Sequence, residues 1–355
     1  MYYRNISRNK IFAHFDRIES IYRNNICFPV CLEIHATNVC THACNHCSFS
    51  FLPKGADAHR LDKDLVFRVV CDFKKCGGKA VLWSGGGEPT SYRSIDNMYG
   101  IKDLIEYTHT VGLDQGIYTN GEGLDDDIIS TVIQHCKFIR ISLDAFSPET
   151  HEKIHNTRSF EQILHNIEKC VHRKKLTGSK IVIGISYLLY DNNIDDIVHY
   201  EKFYQTHNID YIYFKPGIIK NITPIQKVKC DEAVHILCEI LGDDVKRDYI
   251  EIADEEIWSA VNGKNEKPLK KCYMGSIFPL LAADGKLYYC CHSLNKPGFC
   301  LGDLTHERFQ DIYSRLVLND YNDFQKCPII CRGYLINQDV DNMLALLSNE
   351  HCNFL

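Results

Sequence analysis

The 355-residue sequence has no uninterrupted apolar stretch of about 18 residues, the length that a membrane-spanning helix needs. It also lacks a long basic run, and its 40 lysine and arginine residues against 46 acidic ones leave a net charge of −6. These absences argue against a membrane-embedded protein and against nucleic-acid binding through a phosphate-neutralising face. The first 20 residues have no continuous apolar core, so we do not expect a secretory signal.

Cysteine, by contrast, is abundant, with 18 residues in the chain. In an exported protein this number would suggest disulfides, but no export signal is seen and a chain of this length can bury a core without them. Apolar and charged contents of 45% and 24% are those of an ordinary globular enzyme. We therefore expect a cytoplasmic protein whose cysteines bind metal or perform thiol chemistry.

Short apolar runs alternate with amphipathic ones from residue 30 to about residue 220. The apolar runs are rich in β-branched and aromatic residues, as strands are, and the segments between them have helical periodicity. This alternation predicts an α/β fold of parallel β/α units, and six units rather than eight predict an open, partial (β/α)6 TIM-like barrel. The six predicted strands lie within 30–37, 79–86, 114–121, 137–146, 180–189 and 210–219.

The alternation stops near residue 225. Residues 225–262 have a mostly helical and charged pattern, and "IFPLLAADGKLYYCC" follows with Asp284-Gly285, a strong hairpin signal. We therefore predict an N-terminal extension over 1–29, the barrel over 30–224, and linker helices with a small C-terminal α+β domain over 225–355.

Three cysteines crowd the loop "CTHACNHC" that follows the first predicted strand. Cys40, Cys44 and Cys47 are spaced C-x3-C-x2-C. A [4Fe–4S] cube needs one outside ligand on each of its four irons, so three thiolates would leave one iron open. The alternatives are buried structural thiols, or a zinc site that His42 or His46 completes.

This spacing resembles the signature of the radical S-adenosylmethionine (radical SAM) enzymes. "WSGGGEPT", at the end of the second predicted strand, is similar to the GGEP motif of that family, and "IYTNG" and "ISLDA" are endings common in it. The resemblance implies a [4Fe–4S] cluster whose open iron binds SAM. One electron from the cluster then cleaves SAM to methionine and a 5′-deoxyadenosyl radical, which abstracts a hydrogen atom from the substrate.

The resemblance also implies which residues contact the cofactor. His46 occupies the position before the third cysteine, which usually contacts the adenine, and Gly86, Gly87 and Glu88 match the motif beside the methionine moiety. One departure is that His155 stands where the family often has an arginine for the SAM carboxylate, so Arg158 is the candidate for that role. Further candidate contacts are Asn120, Ser142, Asp144 and Ser186.

A second cysteine set lies in the C-terminal part. Cys272, Gly285 and Cys290 match C-x9–15-G-x4-C, the opening of the SPASM and twitch domains appended to many radical SAM enzymes. Cys272 and Cys290, together with Cys327 and Cys331 of "CPIIC", make four thiolates, enough for one auxiliary [4Fe–4S] cluster. The resemblance therefore implies the shorter, twitch-like form, and a structural zinc site is the alternative.

Taken together, these features predict a radical SAM oxidoreductase. We expect it to oxidise a sugar-like or cyclitol-like small molecule, with a flavodoxin or ferredoxin as reductant. Lys215, in "YFKPG" at the end of the sixth predicted strand, is the candidate catalytic residue, with an ordinary salt bridge as the alternative. Other functions left open are a radical epimerase of a sugar or peptide, a peptide-maturing enzyme that forms thioether or carbon–carbon crosslinks, and a non-catalytic iron–sulfur or zinc protein.

Overall fold

The computed structural model describes residues 8–216, 250–252, 271–296, 298–316, 331 and 333–348. The strands of these residues form one sheet with the order β10-β9-β8-β1-β2-β3-β4-β5-β6-β7. Their bounds are Cys31–His35 (β1), Ala80–Ser84 (β2), Asp114–Thr119 (β3), Phe138–Ser142 (β4), Val182–Leu189 (β5), Tyr211–Pro216 (β6), Ile250–Ile252 (β7), Leu280–Leu281 (β8), Lys286–Tyr288 (β9) and Cys300–Asp303 (β10).

Each of the six predicted strand segments contains one of the strands β1 to β6. Neighbouring strands of this set pair in parallel, in chain order and with none skipped. Helices occupy the connections, so the predicted α/β partial barrel is confirmed. The helices are Phe15–Tyr22 (α1), Lys63–Lys75 (α2), Ile101–Thr110 (α3), Asp126–His135 (α4), Pro148–His155 (α5), Phe160–Thr177 (α6), Tyr200–His207 (α7), Met274–Ile277 (α8), Phe309–Ser314 (α9) and Tyr334–Leu347 (α10).

Helix α2 shows how the local sequence sets these elements. The Asp62 side chain caps the helix by accepting hydrogen bonds from the backbone N–H groups of Asp64 and Leu65, at 2.8 and 3.2 Å. Val66, Val69, Val70 and Phe73 recur at helical spacing and are buried against the sheet. The helix then ends before Gly77, whose φ of +85° few other residues adopt.

The two faces of the sheet have different environments. On β4, Ile139 and Ile141 are buried in the main core among residues of the helices. Because side chains alternate along a strand, Arg140 and Ser142 point to the opposite face, the lumen of the partial barrel. The lumen is therefore the face on which the sequence places polar and charged residues.

The C-terminal strands extend the barrel sheet. β8 pairs in parallel with β1, with Glu33 opposite Leu280, and β9 folds back on β8 in an antiparallel hairpin. The predicted turn at Asp284-Gly285 is present, with Gly285 at φ +82°. The boundary predicted near residue 225 lies outside the described residues, and the division into domains stays a prediction.

A short strand that the sequence analysis did not predict lies in the C-terminal half. Ile250–Ile252, inside the segment predicted as mostly helical, forms β7 and pairs in parallel with β6. Three residues are too few to show strand periodicity, and pairing with the open edge of β6 decides their structure. The rest of the segment 225–262 lies outside the described residues, so its helical pattern stays a prediction. Within the described part of the chain, no helix combines the length and apolar content of a membrane span.

Polar contacts attach the C-terminal segment to α2. The Arg308 guanidinium lies 2.5 Å from Asp72, whose side chain is only 2% exposed. Arg68 donates hydrogen bonds to the backbone oxygens of Leu304 and Glu307, at 2.5 and 3.1 Å. The buried carboxylate of Asp72 therefore depends on a cation supplied from more than 200 residues away.

We expect Arg308→Ala to lower the free energy of unfolding by about 2 kcal/mol, because the Asp72 carboxylate is left buried without its cation. The double variant Arg308→Ala/Asp72→Asn should recover part of this loss. Urea denaturation followed by circular dichroism measures the effect. Arg158→Ala, which removes an exposed ion pair with Glu152, is the control and should change little. A double variant as unstable as Arg308→Ala would contradict this explanation.

Candidate active site

The three cysteines of the first loop lie at the carboxyl end of β1 and face a common region. Each is half-buried and free of disulfides. Burial raises the pKa of the Cys40 thiol, and Glu88 and Cys47 raise it further. Burial also raises the pKa of Cys44 to about 12, with added contributions from Cys40, Asp144 and Cys47. The thiols are thus close enough to repel one another as thiolates, which a bound cationic metal centre would relieve.

The chemistry of the three cysteines suits an iron–sulfur cluster. They are free thiols on one loop, and soft thiolate donors are the ligands that iron–sulfur clusters take. Among the described residues, three histidines also bring ligand atoms within 4.8 Å of one another, namely His42, His151 and His155. The three thiols therefore fit, by donor type and number, three of the four irons of a [4Fe–4S] cluster.

The glycine-rich loop after β2 packs directly on the cysteine loop. A Cβ on Gly87 would lie 2.3 Å from the Val39 carbonyl oxygen, and one on Gly86 would lie 2.4 Å from a methyl group of Leu52. The Glu88 N–H donates to the same Val39 oxygen at 2.7 Å. Glycine is therefore needed here because the two loops approach each other closely. This reason adds to the one given by the sequence, that glycine lets a ligand approach the backbone.

Glu88 is buried and accepts four hydrogen bonds. Its Oε1 accepts from the N–H and hydroxyl of Thr90, at 3.0 and 2.9 Å, and from the Thr119 hydroxyl at 2.6 Å. Its Oε2 accepts from the Asn120 N–H at 2.7 Å. Burial raises the pKa of this carboxyl, and the hydrogen bonds oppose that shift. Glu88 therefore joins the loop after β2 to the end of β3.

Asn120 extends this connection to the cysteine loop, because its side-chain amide donates to the Thr41 hydroxyl at 3.1 Å. On the next two strands, Ser142 and Ser186 are register partners, with Ser142 at the end of β4 and Ser186 in the middle of β5. Side chains of paired residues in parallel strands point to the same face, so both serines belong to the lumen face. The structure thus brings Asn120 to the cysteine loop and sets the two serines side by side.

Asp144 and Lys215 lie close together at the same end of the barrel. Asp144 accepts a hydrogen bond from the Leu188 N–H at 2.6 Å and lies 3.4 Å from His155 Nε2. Burial raises its pKa to about 7, while the Leu188 bond and the Lys215 charge lower it. The Lys215 ammonium also lies 5.9 Å from the centre of the Tyr213 ring. Asp144 therefore has partners within the protein that sequence reasoning did not assign.

His46 stacks on Tyr190, with ring centres 3.9 Å apart and an interplanar angle of 27°. Sequence reasoning missed Tyr190. The available signal was an aromatic residue directly after a strand, but the pairing joins residues 144 positions apart. The stack places two flat rings beside the cysteine loop.

The structure does not bring Arg158 to this site. Helix α5 ends at His155, and Asn156 takes a left-handed conformation that turns the chain outward. The Arg158 side chain is 85% exposed and pairs with Glu152 at 2.8 Å. The residue beside the cysteine loop is His155, whose Nδ1 lies 3.1 Å from Cys44 Sγ and whose Nε2 lies 2.9 Å from the Leu143 carbonyl oxygen.

His155 belongs to a buried histidine cluster with His42 and His151. Burial, together with the neighbouring histidines, lowers the pKa of His155 to about 3 and that of His151 to about 4. Both imidazoles are therefore neutral near pH 7. Neither ring nitrogen of His151 has a hydrogen-bond partner.

The C-terminal cysteines also come together. Burial raises the pKa of Cys272 to about 12, and the charges of Cys290 and Cys331 add to the shift. Since such interactions fall off with distance, these three thiols lie near one another. Cys327, the fourth predicted ligand, lies outside the described residues.

Comparison with known proteins agrees with this geometry. Residues 34–203 match the radical SAM superfamily. These residues, just under half of the chain, form a radical SAM domain. This superfamily uses a [4Fe–4S] cluster and SAM, and the resemblance seen in the barrel part of the sequence is confirmed. The twitch-like form of the C-terminal part stays a prediction.

Solved structures share the fold of this chain. Streptococcus suis SuiB bound to SAM has a TM-score of 0.64 and 14% identity, over 96% of this chain and 79% of that one. Native anSMEcpe with bound AdoMet has a TM-score of 0.60 and 14% identity, over 90% of this chain and 100% of that one.

A curated relative from Methanococcus maripaludis is 28% identical over 102 residues. Its name is 5-amino-6-(D-ribitylamino)uracil–L-tyrosine 4-hydroxyphenyl transferase 2. The match spans 29% of this chain and 27% of the relative. The similarity therefore covers less than a third of each chain.

We expect Glu88→Gln to lower the free energy of unfolding by about 1–3 kcal/mol, because an amide NH2 group would face the Asn120 N–H and leave that buried donor unpaired. Thermal denaturation measures the effect. Glu152→Gln, at a half-exposed carboxylate on α5, is the control and should leave the midpoint nearly unchanged. An unchanged midpoint for Glu88→Gln would mean that Glu88 is a neutral acid in the folded protein.

The buried His151 should make stability depend on pH. Its pKa is about 4 in the folded protein and near 6.5 when unfolded, so the unfolded chain takes up the proton first as the pH falls. Between these values each lower pH unit should reduce the free energy of unfolding by about 1.4 kcal/mol. His151→Phe should remove this contribution between pH 6.5 and 4.5, while the similar contribution of His155 remains, whereas His165→Phe on the exposed face of α6 should leave the slope unchanged. Identical pH profiles for the two variants would contradict the assignment.

Proposed function

We propose that this protein is a SAM-dependent enzyme in which Cys40, Cys44 and Cys47 hold the [4Fe–4S] cluster. The observation that carries the proposal is the convergence of these thiols at the carboxyl end of β1, on a loop packed against Gly86, Gly87 and Glu88. When bound, the cluster and SAM supply one-electron chemistry that removes a hydrogen atom from the substrate. The protein supplies the position and surroundings of that chemistry.

The residues around the loop have distinct proposed roles. The stacked rings of His46 and Tyr190 offer a flat surface for the adenine. Amide and hydroxyl groups come from Asn120 directly after β3, Ser142 at the end of β4 and Ser186 within β5. Lys215 stays a candidate substrate contact, since its ammonium lies on the lumen face near Asp144.

We propose a second cluster in the C-terminal part. The proximity of Cys272, Cys290 and Cys331 supports it, and Cys327 would complete four thiolate ligands. Such a centre near the lumen would suit an oxidation in which a second electron leaves the substrate. The C-terminal hairpin lies against β1, the strand that precedes the cysteine loop, so the two sites share one sheet.

We propose a peptide as the substrate. Its support is the likeness, over most of the chain, to SuiB bound to its precursor peptide SuiA, with a TM-score of 0.65 and 14% identity over 96% of this chain and 77% of that one. A second peptide-bound structure, anSMEcpe with Cp18Cys, has a TM-score of 0.58 and 13% identity, over 90% of this chain and 100% of that one. The sugar or cyclitol oxidation expected from the sequence has no counterpart among these structures.

The test is to count iron and sulfide after anaerobic reconstitution and to follow 5′-deoxyadenosine formation with dithionite as reductant. We expect roughly eight irons in the wild type and about four in a Cys40/Cys44/Cys47→Ala variant, which should no longer cleave SAM. Cys136→Ala/Cys170→Ala, at two buried core cysteines, is the control and should keep both iron and activity. Unchanged iron content in the loop variant, or SAM cleavage without the loop cysteines, would overturn the proposal.

A further inference from the structure

Arg140 occupies the lumen face in the middle of β4. It lies two residues before Ser142 on the same face, which at about 3.3 Å per residue places it about 7 Å deeper in the barrel. It is a strand-centre residue rather than a loop residue, so its position is set by the sheet. Its paired neighbours, Tyr118 on β3 and Gly184 on β5, belong to the same layer.

Three tyrosines surround the Arg140 guanidinium. Its centre lies 4.7 Å from the ring centre of Tyr118, 5.4 Å from that of Tyr213 and 5.6 Å from that of Tyr211. Its Nε–H donates a hydrogen bond to the Tyr211 hydroxyl at 2.8 Å. A glycine at position 184 makes room for the Tyr211 ring, because a Cβ there would lie 2.2 Å from ring atoms. The cation is thus held in a defined orientation by residues of three strands.

Arg140 has no acidic partner among the residues whose side chains the structure describes, because none of their carboxylates lies within the 4.0 Å of an ion pair with it. One of its five N–H donors is used by Tyr211. Contacts with aromatic faces stabilise a cation, but they offset only part of the free energy that removing its charge from water costs. Lys215 places a second cation near the Tyr213 ring, at 5.9 Å from its centre.

We propose that Arg140 binds a carboxylate of the substrate inside the barrel lumen. A planar guanidinium can hold a carboxylate by two parallel hydrogen bonds, and this would fix both the position and the orientation of the substrate. The inference rests on the proposed function, since it takes the lumen below the cofactor residues as the substrate cavity. It deepens that function by naming the substrate class, a molecule whose reacting carbon lies within a few bonds of a carboxylate.

The test measures protection of Arg140 from 2,3-butanedione in the anaerobically reconstituted protein with SAM, with peptide mass spectrometry to identify the modified arginines. The probes are N-acetyl-L-alanine, which carries a terminal carboxylate, and N-acetyl-L-glutamate amide, which mimics an acidic side chain of a peptide. Their fully amidated analogues are the controls. We expect at least one carboxylate probe to slow modification of Arg140 threefold or more, with no effect of the amides. Exposed Arg158 should react equally in all samples.

The probe that protects Arg140 identifies the source of the carboxylate as a chain end or small acid, or as a peptide side chain. Equal modification with and without both carboxylates would overturn the proposal. So would an Arg140 that stays unmodified while Arg158 reacts fully, because the lumen would then be closed to ligands. This assay reads binding without turnover, so a failure of SAM cleavage would count against the proposed function and not against this inference.

Substitutions give an independent measurement. Under the same conditions the protecting probe should raise the melting temperature of the wild type and of Arg140→Lys, which keeps the charge. It should have no effect on Arg140→Gln. An equal rise in all three proteins would place the carboxylate elsewhere and overturn the proposal.

Discussion

The contact between two loops, the cysteine loop after β1 and the Gly86–Glu88 turn after β2, is the constraint on which the site depends. The turn approaches the Asn38–Val39 backbone so closely that no side chain fits between them, and Glu88 then joins it to the end of β3 through Thr119 and Asn120. Because Asn120 in turn holds Thr41, a change in any one loop would move the three thiols. These contacts hold the loops in fixed positions, and a metal centre needs ligands that are held in this way.

Electrostatics divide the site into two regions. Around the cysteine loop, the half-buried Cys44 thiol and the buried imidazoles of His151 and His155 are neutral near pH 7. Burial raises the pKa of the thiol and lowers the pKa of the imidazoles, and both shifts favour the neutral form. Deeper in the lumen, Arg140 keeps its charge among tyrosine rings. A metal centre that binds thiolates would suit the region of the cysteine loop, and a substrate with an anionic group would suit the region of Arg140. The same barrel thus offers a soft donor set at its mouth and a hard cationic group below it.

The C-terminal strands are part of this architecture. β8 adds to the β1 edge and places the hairpin with Cys290 on the same sheet as the cysteine loop. Arg308 and Asp72 fasten the following segment to α2, the helix that connects β1 to β2. The two cysteine sets are therefore held relative to each other by backbone pairing and by an ion pair, and not by the cysteines themselves.

The sequence by itself determined the parallel β/α order, the hairpin at Asp284-Gly285 and the two cysteine sets, because strand periodicity, turn residues and ligand spacing are local patterns. It did not reveal the strand Ile250–Ile252, whose structure is decided by pairing with the edge of β6 and not by a local pattern. Only the tertiary structure decided that His155 rather than Arg158 lies beside Cys44, that Tyr190 stacks on His46, and that Arg140 meets tyrosines of β3 and β6. These contacts join residues far apart in the chain, and sheet register and helix ends, which no local pattern encodes, bring them together.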